Sequence, residues 1–477
     1  MPIIKRALFV SPWPRHAKII MEASMYPPMG LAYTAAYLEA QGVTCAILDA
    51  NLEQWDEGEV LKKIEAFNPD LVGLTFNIAT VKEATMIAKA AKTRLGKAVV
   101  LGGPSSAGDV RDILRKSQAD CVVYGEGERV MAHLVENEMD LAHTNGLIYL
   151  DREGQMVKTP KEQKLTPKEL DEMPFPAYHL LPNLDRYKNR SRRHPIAPMV
   201  TSRGCPCACT FCGSALSGWR PRSPESVVKE IEHLMTTFGV KQVDILDDNF
   251  TLVAERAEKI CDLIIEKKLG IYITFPNGLR ADRLTQGLVK KLAQAGVYRT
   301  GLGIESGDQK ILDGIKKSLT LDQVRQAVRW LREEGITVFG YFQFGLPGES
   351  KETMERTIAF AREVNPHWAN FGITTPLPGT ELYAQLKAEG KLDVKEDEGI
   401  TSGFYSVKEG HVLSNGLKRE DILEYQRKAW LQFYFRPKKV LDVLGTIRSY
   451  RELQWTVGLA WPIFKSIFSP YKQGQSS

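Results

Sequence analysis

The chain has 477 residues, of which 43% are hydrophobic and 25% charged, and its formal net charge is +5. This is the composition of an ordinary globular protein, and the length predicts about two to four domains. The weak net charge, without a basic patch that interleaves aromatics, argues against a nucleic acid partner. No apolar run reaches the roughly 18 residues of a membrane span and no secretory signal opens the chain, so we expect a cytoplasmic protein.

Residues 1–140 alternate short apolar runs with amphipathic segments. The apolar runs predict five buried strands, at residues 7–10, 45–48, 71–76, 98–101 and 121–124. The segments between them predict helices, at residues 31–40, 60–67, 84–94 and 110–116. Continuous apolar strands that alternate with helices are typical of a doubly wound, Rossmann-like α/β domain. Its ligands are expected at the carboxyl ends of the strands, where glycines and turn residues follow.

Residues 141–198 show no clear periodicity. They hold two proline-bearing runs, Met173-Pro174-Phe175-Pro176 and Leu180-Leu181-Pro182. We interpret this stretch as a linker between domains, although a plain surface loop fits most of it equally well.

The strand and helix rhythm resumes over residues 199–385. The predicted strands are residues 199–202, 242–246, 271–275, 299–303, 338–344 and 370–374. The predicted helices are residues 224–237, 254–267, 286–295, 321–334 and 351–364. Six such strands predict a partial (β/α)6 barrel, whose chemistry lies on the loops that follow the strands.

Residues 386–477 are mostly helical in pattern, basic and rich in aromatics. We expect a helical C-terminal cap that packs against the barrel. The alternative is peripheral contact with a membrane, which would fit a lipid-like substrate. The aromatic and proline residues that suggest this alternative are Trp455, Trp461, Pro462, Phe464 and Phe468.

Four of the seven cysteines lie within eight positions, in the loop after the first predicted barrel strand. Cys205, Cys209 and Cys212 have the C-x3-C-x2-C spacing with which one loop can give three thiolates to a [4Fe–4S] cubane. The fourth iron, without a protein ligand, can bind the amino and carboxylate groups of a small molecule. A zinc site would need another Cys or His pair nearby, and a disulfide scaffold would spread its cysteines. Cys207 stays open as an alternative ligand.

The C-x3-C-x-aromatic-C loop and the six-fold strand and helix series together resemble the radical S-adenosylmethionine (SAM) superfamily. The resemblance implies a cluster on Cys205, Cys209 and Cys212, with Phe211 near the SAM adenine. Residues after successive strands would complete the SAM site. Asp248 would receive the amino group, Arg280 the carboxylate and Glu305 the ribose hydroxyls, while the backbone of Gly345 and Pro347 would pass the adenine. A barrel-mouth salt bridge is the alternative role for Arg280 or Glu305 alone.

The N-terminal domain, placed directly before such a barrel, resembles the cobalamin-binding domain of class B radical SAM enzymes. The resemblance lies in the strand ends Gly73-Leu74-Thr75-Phe76, Leu101-Gly102-Gly103-Pro104 and Gly125-Glu126-Gly127-Glu128. It implies cobalamin contacts from six residues: Thr75, Asn77, Gly102, Gly103, Gly125 and Glu126. The Asp-x-His-x-x-Gly motif of many relatives is missing before His16, so we expect no histidine ligand to cobalt. The alternative is a domain of this shape that has lost its cofactor.

These resemblances imply a cobalamin-dependent radical SAM enzyme, most directly a C-methyltransferase acting on an unactivated carbon of a small-molecule or lipid-like substrate. A one-electron reductant such as flavodoxin or ferredoxin is implied as a partner, and no catalytic side chain is assigned. One alternative keeps the cofactors but not methyl transfer, as in oxidative cyclisation, ring rearrangement or hopanoid modification. A second alternative is a non-catalytic protein that senses SAM or cobalamin. An RNA methylthiotransferase is excluded, since Cys45 and Cys121 cannot ligate a second cluster.

Overall fold

The computed structural model describes residues 4–14, 25–77, 79–103, 109–187, 189, 191–391 and 417–458. Two large sheets organise this part of the chain, one with seven strands and one with six. Each sheet is the centre of one α/β unit, and helices from the C-terminal region pack beside the second.

The first sheet has the strand order β2-β1-β3-β4-β5-β6-β7. Its strands are β1 Arg6–Ser11, β2 Thr44–Asp49, β3 Leu71–Thr75, β4 Ala98–Gly102, β5 Cys121–Val123, β6 Leu147–Leu150 and β7 Met156–Lys158. The first five strands are parallel and the last two antiparallel. The chain reverses its winding direction between β1 and β3, which is where open α/β sheets bind their ligands. The predicted doubly wound domain is confirmed.

Helices cover both faces of this sheet. They are α1 Met29–Glu39, α2 Ala50–Glu53, α3 Glu57–Phe67, α4 Val81–Leu95, α5 Val110–Ser117 and α6 Gly127–Glu136. Ala7 and Phe9 of β1 pack in a core with α1 and α6, while Leu8 and Val10 pack with α3, α4 and α5. Burial on both faces explains why the strand sequences are continuously apolar rather than alternating.

The interpretation of residues 141–198 as an irregular linker is wrong for its first part. The strands β6 and β7 pair with each other and add an antiparallel edge to the first sheet. The strand β6 is buried only at Leu147 and Ile148, and β7 is largely exposed, so the apolar signal of this hairpin is weak. Further on, helix α7 Pro167–Glu172 and two short 3-10 turns, Tyr178–Leu180 and Leu184–Arg186, lead to the second sheet.

The second sheet has six parallel strands in sequential order, as expected for a partial barrel. They are β8 Ile196–Met199, β11 Gln242–Ile245, β12 Tyr272–Leu279, β13 Val297–Glu305, β14 Thr337–Phe344 and β15 Trp368–Ile373. A short antiparallel pair, β9 Ser202–Arg203 and β10 Arg220–Pro221, lies between β8 and β11. The predicted first strand at residues 199–202 is therefore misplaced: it ends at Met199, because Thr201 and Ser202 turn away to bind the Asp247 carboxylate.

Six helices lie along the outer face of the barrel sheet or connect its strands. They are α8 Pro224–Phe238, α9 Ala254–Glu266, α10 Gln286–Gln294, α11 Gln309–Gly314, α12 Leu321–Glu333 and α13 Lys351–Val364. Val243, Ile273 and Val338 join the core beneath these helices. Side chains alternate between the two faces of a strand, so the residues next to these three in each strand face the concave side of the barrel.

The described C-terminal region is helical, in agreement with the predicted fold class. It contains α14 Glu381–Ala388, α15 Arg419–Tyr434, α16 Pro437–Leu444 and a helical stretch at residues 450–458. Phe433 is fully buried and packs on Phe371 of β15, so α15 covers the last barrel strand. Trp461, Pro462, Phe464 and Phe468 lie outside the described residues. Among the helices that are described, none combines the length and the apolar character needed to cross a membrane.

Candidate functional site

The cysteine loop, residues 204–219, is a closed hairpin between β9 and β10. Arg203 pairs with Arg220 and Ser202 with Pro221 at its base. Gly204 has a φ of 82°, and a Cβ there would lie 1.9 Å from the carbonyl oxygen of Gly218. Only glycine permits this close approach of the two sides of the loop.

Backbone and hydroxyl hydrogen bonds then fold the loop into a compact arch. The Cys205 N–H donates to Ser217 Oγ at 3.0 Å, and the Leu216 N–H donates to the Cys207 carbonyl at 3.0 Å. The Cys212 N–H donates to the Cys209 carbonyl at 3.2 Å. The four cysteines are thus carried on one tightly closed loop beyond the end of the first barrel strand.

The four thiols differ in exposure. Cys205 and Cys209 are buried, whereas Cys207 and Cys212 are partly exposed. Burial raises the pKa of the Cys212 thiol and raises that of Cys207 to about 11. Arg280 opposes this rise in pKa at Cys207 and Lys317 opposes it at Cys212, so positive charge lies close to the loop.

In the described part of the chain, no three His, Cys, Asp or Glu side chains converge closely enough to hold one metal ion. The thiolates of a cubane bind different irons and stand farther apart than the ligands of a single ion. The loop offers thiols with cations nearby, a donor set that fits a cluster on Cys205, Cys209 and Cys212.

Phe211 is part of the cysteine loop, and Asp248 contacts that loop from the turn after β11. The exposed Asp248 carboxylate accepts a hydrogen bond from Ser214 Oγ at 2.9 Å. Its neighbour Asp247 is buried and fully used by Thr201 and Ser202, so Asp248 is the available carboxylate of this turn. Phe211 packs on an apolar cluster of four residues: Ile311, Leu312, Ile315 and Leu346.

Arg280 and Glu305 are brought together by Lys317. Arg280 donates to the Lys317 carbonyl at 2.8 Å and to Asp282 Oδ1 at 2.9 Å. The buried Glu305 carboxylate accepts from Lys317 Nζ at 2.6 Å and from Gln343 Nε2 at 2.7 Å. Each residue therefore makes the barrel-mouth ion pair that we gave as its alternative role. Sequence reasoning missed Lys317 and Gln343, because neither belongs to a recognisable motif.

Gly345 and Pro347 lie in a loop that is shaped by a buried carboxylate. Glu349 Oε2 accepts the N–H groups of Gly345, at 2.6 Å, and of Leu346, at 3.0 Å. Glu349 is completely buried, and this burial raises its pKa to about 8. It was visible in the sequence as the end of Gly345-Leu346-Pro347-Gly348-Glu349, but its role depends on the fold.

The predicted cobalamin residues of β3, β4 and β5 meet at the carboxyl edge of the first sheet. Thr75 pairs with Gly102 across β3 and β4. Gly103 has a φ of 154°, and a Cβ there would lie 1.9 Å from the Phe76 carbonyl oxygen. Gly125 has a φ of 106° and open space around it. This glycine edge leaves bare backbone for a large ligand to approach.

Two further predicted cobalamin residues, Asn77 and Glu126, have defined roles in the fold. Asn77 Oδ1 accepts the Ala79 N–H at 2.8 Å and lies beside Thr80, so it shapes the turn before α4. Glu126 points away from the glycine edge towards the barrel. His16 lies outside the described residues.

Glu126 belongs to an interdomain ion-pair cluster formed by Glu126, Glu128, Arg203 and Arg220. Arg220 binds the Glu126 carboxylate through two nitrogens, and Arg203 lies 3.4 Å from it. Arg203 also binds Glu128 at 2.7 Å. Although burial opposes it, the arginines lower the pKa of Glu126. The turn after β5 is thereby fastened to the base of the cysteine loop.

Comparison with known proteins agrees with both halves of this architecture. Residues 199–361 match the family model of the radical SAM superfamily, and residues 22–135 match that of the B12 binding domain. An uncharacterized methyltransferase of Pyrococcus horikoshii is 32% identical over 447 residues, which are 92% of this chain and 95% of the relative. An anaerobic magnesium-protoporphyrin IX monomethyl ester cyclase of Rubrivivax gelatinosus is 30% identical and covers 91% of this chain, with 80% of its own length matched.

The fold is also that of a solved enzyme. The radical SAM methyltransferase TsrM of Kitasatospora setae, with cobalamin and a [4Fe–4S] cluster bound, superimposes with a TM-score of 0.66. The match covers 93% of this chain and 91% of TsrM at 20% identity. With both domains, their order and full-length relatives in agreement, the chain belongs to the cobalamin-dependent radical SAM enzymes, whose cofactors are a [4Fe–4S] cluster, SAM and cobalamin.

Proposed function

We propose that this enzyme is a C-methyltransferase that acts on an unactivated carbon of a small organic or lipid-like substrate. The observation that carries the two-cofactor part of this proposal is the interdomain ion-pair cluster, which fastens the β5 turn to the base of the cysteine loop. A reaction that uses two cofactors in turn needs both at fixed positions around one substrate. The name of the Pyrococcus horikoshii relative, a methyltransferase, supports the same choice.

When bound, the cluster and SAM supply a 5′-deoxyadenosyl radical that removes a hydrogen atom from the substrate, and methylcobalamin supplies the methyl group. We assign Cys205, Cys209 and Cys212 as the cluster ligands and Cys207 as a non-ligand. The partly exposed side of the loop, at Cys207 and Cys212, is the side from which a flavodoxin or ferredoxin would deliver the electron.

The SAM site is assigned to residues at the ends of successive strands. Asp248 would accept from the amino group, since its carboxylate is exposed beside the cysteine loop. Arg280 would bind the carboxylate, and Glu305, held rigid by Lys317 and Gln343, would accept the ribose hydroxyls. Phe211 and the backbone of Gly345 and Pro347 would flank the adenine.

For cobalamin, we assign the glycine edge together with the polar side chains beside it. Gly102, Gly103 and Gly125 would admit the ligand, and Thr75 and Asn77 would contact it. For Glu126 the assignment is limited to its backbone, because its carboxylate is bound by Arg220 and Arg203.

The second candidate function is an oxidative cyclisation with the same cofactors. The Rubrivivax gelatinosus cyclase, 30% identical over 450 residues, favours it. The two functions differ in what happens to SAM: methyl transfer consumes one SAM as a methyl donor, whereas cyclisation does not.

The deciding experiment is methyl loading. The holoenzyme would be reconstituted anaerobically with cobalamin, reduced, and incubated with SAM that carries a 13C-labelled methyl group. We expect S-adenosylhomocysteine to form together with 13C-methylcobalamin. If 5′-deoxyadenosine forms while S-adenosylhomocysteine and labelled cobalamin do not, methyl transfer is wrong and the cyclase-like function takes its place.

A further inference from the structure

Arg299, in β13, is a buried cation that forms no salt bridge in the described part of the chain. Arg299 is 9% exposed, and its buried Nη1 atom has no hydrogen-bond partner. Its guanidinium lies 5.6 Å from the centre of the Tyr298 ring. An isolated buried charge is costly, so such a group normally has an anionic partner in the working protein.

Other buried arginines of the barrel are satisfied differently. Arg222 is 6% exposed and forms an ion pair with the buried Glu230. Arg256, which also leaves one nitrogen without a partner, donates to the carbonyls of Arg222 and Thr201 at 2.8 and 2.7 Å. Arg299 therefore differs from structurally engaged arginines at comparable burial.

Arg299 lies on the polar, concave side of the barrel. It is in register with Thr274 of β12, which in turn is in register with Asp244 of β11. Thr274 Oγ1 donates to Asp244 at 2.7 Å across the strands, so these side chains share one face. Tyr26, from the segment before α1, reaches into the same place and donates to Asp244 at 2.7 Å.

The Asp244 carboxylate does not accept a hydrogen bond from Arg299, because other donors already occupy it. Its carboxylate already accepts from Tyr26, Thr274 and Gln242, the last at 2.8 Å. It acts on Arg299 electrostatically, but the two do not form an ion pair in the described structure. The guanidinium fork of Arg299 is left for another acceptor.

Tyr341 borders this position on the side of the strand ends. A Cβ at Gly301, two residues beyond Arg299 and hence on the same face, would lie 2.5 Å from Tyr341 Cε2. The ring thus lies over Gly301, and the Tyr341 hydroxyl donates to the Pro276 carbonyl at 2.8 Å. Arg299 is six residues before Glu305, about 20 Å along the strand, so it is remote from the cysteine loop.

We propose that Arg299 binds an anionic head group of the substrate, a carboxylate or a phosphate, in the concave face of the barrel. The planar guanidinium matches both groups through two parallel hydrogen bonds. The anion serves as an anchor and does not react, because it lies far from the cofactor edge. This inference rests on the proposed function and adds a substrate class to it, namely a substrate with an anionic group.

Anion binding can be tested without turnover. The anaerobic holoenzyme would be titrated with malonate or inorganic phosphate at constant ionic strength in chloride, and its thermal unfolding midpoint measured. We expect a saturable rise of the midpoint in the wild type, and at least about a tenfold weaker apparent affinity in Arg299→Gln and Arg299→Lys. A response to malonate alone identifies a carboxylate site, and a response to phosphate alone a phosphate site.

The change that Arg299→Gln makes to the unfolding midpoint in chloride, before malonate or phosphate is added, shows whether Arg299 also stabilises the fold. Arg299→Gln removes a buried charge that forms no salt bridge, although Asp244 acts on it electrostatically, so its midpoint in chloride should stay close to that of the wild type. The control Arg222→Gln breaks an ion pair, so it should lower the midpoint and keep the anion response. A wild type that ignores both anions, or an Arg299→Gln that is destabilised but still responds, would refute the site. Either result leaves the methyl-loading experiment unaffected.

Discussion

At the residue scale, the proposed cluster ligands are the part of the candidate site that depends least on the rest of the fold. The spacing of Cys205, Cys209 and Cys212 is local, and a loop of this length brings the residues together whatever surrounds it. Lys317 and Gln343 could not be predicted, because their partner Glu305 is 12 and 38 residues away and only the fold brings them into contact.

The four cysteines of the loop provide a test with an internal control. We expect Cys205→Ala, Cys209→Ala and Cys212→Ala each to abolish the brown absorbance of the cluster and SAM cleavage, because each removes one iron ligand. Cys207→Ala should keep both. The visible absorbance of the anaerobically reconstituted variants measures whether each one holds the cluster. Loss of the cluster in Cys207→Ala alone would make that residue a ligand.

Glu349 gives the protein a specific dependence of stability on pH. Burial raises its pKa in the folded state from 4.5 to about 8. The folded protein then holds a proton that the unfolded chain releases, so this residue's contribution to stability falls as pH rises between these values. We expect Glu349→Gln to flatten that part of the profile of unfolding free energy against pH, measured by urea denaturation. An unchanged slope would mean that Glu349 is ionised in the fold.

At the element scale, the buried parallel strands of the first sheet were predicted nearly to the residue, and the short or exposed strands were not. The runs that became β1 and β3 are continuously apolar because helices cover them on both sides. The strand β7 carries little apolar signal because its residues are mostly exposed, and the pair β9 and β10 has two residues on each side. Such elements form only because a neighbouring strand or a closed loop imposes them.

The cysteine loop contains a matched pair of glycines for a test of its closure. Gly204→Ala would place a Cβ 1.9 Å from the Gly218 carbonyl oxygen, whereas a Cβ at Gly213 meets nothing within 4 Å. We expect Gly204→Ala to lose most of its iron after reconstitution and to keep its far-UV circular dichroism. Gly213→Ala should bind iron like the wild type. Equal iron content in the two variants would show that the close approach is dispensable.

At the scale of the whole molecule, each domain was predicted separately and their contact was not. The pairs Arg203–Glu128 and Arg220–Glu126 join residues 75 and 94 positions apart. Nothing in either local sequence identifies the other partner. Glu126 was accordingly interpreted through the motif around it, as a cobalamin residue, when its carboxylate in fact serves the domain contact.

This contact predicts a specific defect when its charge is reversed. Arg220→Glu places a carboxylate against Glu126, and we expect methyl loading of cobalamin to fall about tenfold while reductive SAM cleavage, measured as 5′-deoxyadenosine, stays near normal. The double variant Glu126→Arg, Arg220→Glu should recover much of the loading. If both activities fall together and the double variant does not recover, the cluster only stabilises the fold.

The reach of Tyr26 into the barrel has a consequence for how the protein is made. Its partner Asp244 lies 218 residues later in the chain, in the second of the six barrel strands, so this contact waits until that strand has left the ribosome. The sequential barrel strands, by contrast, can each pair with the one synthesised just before. The segment that carries Tyr26 therefore stays without its partner while the whole first sheet is synthesised, and it can take its final position only after the second barrel strand has emerged.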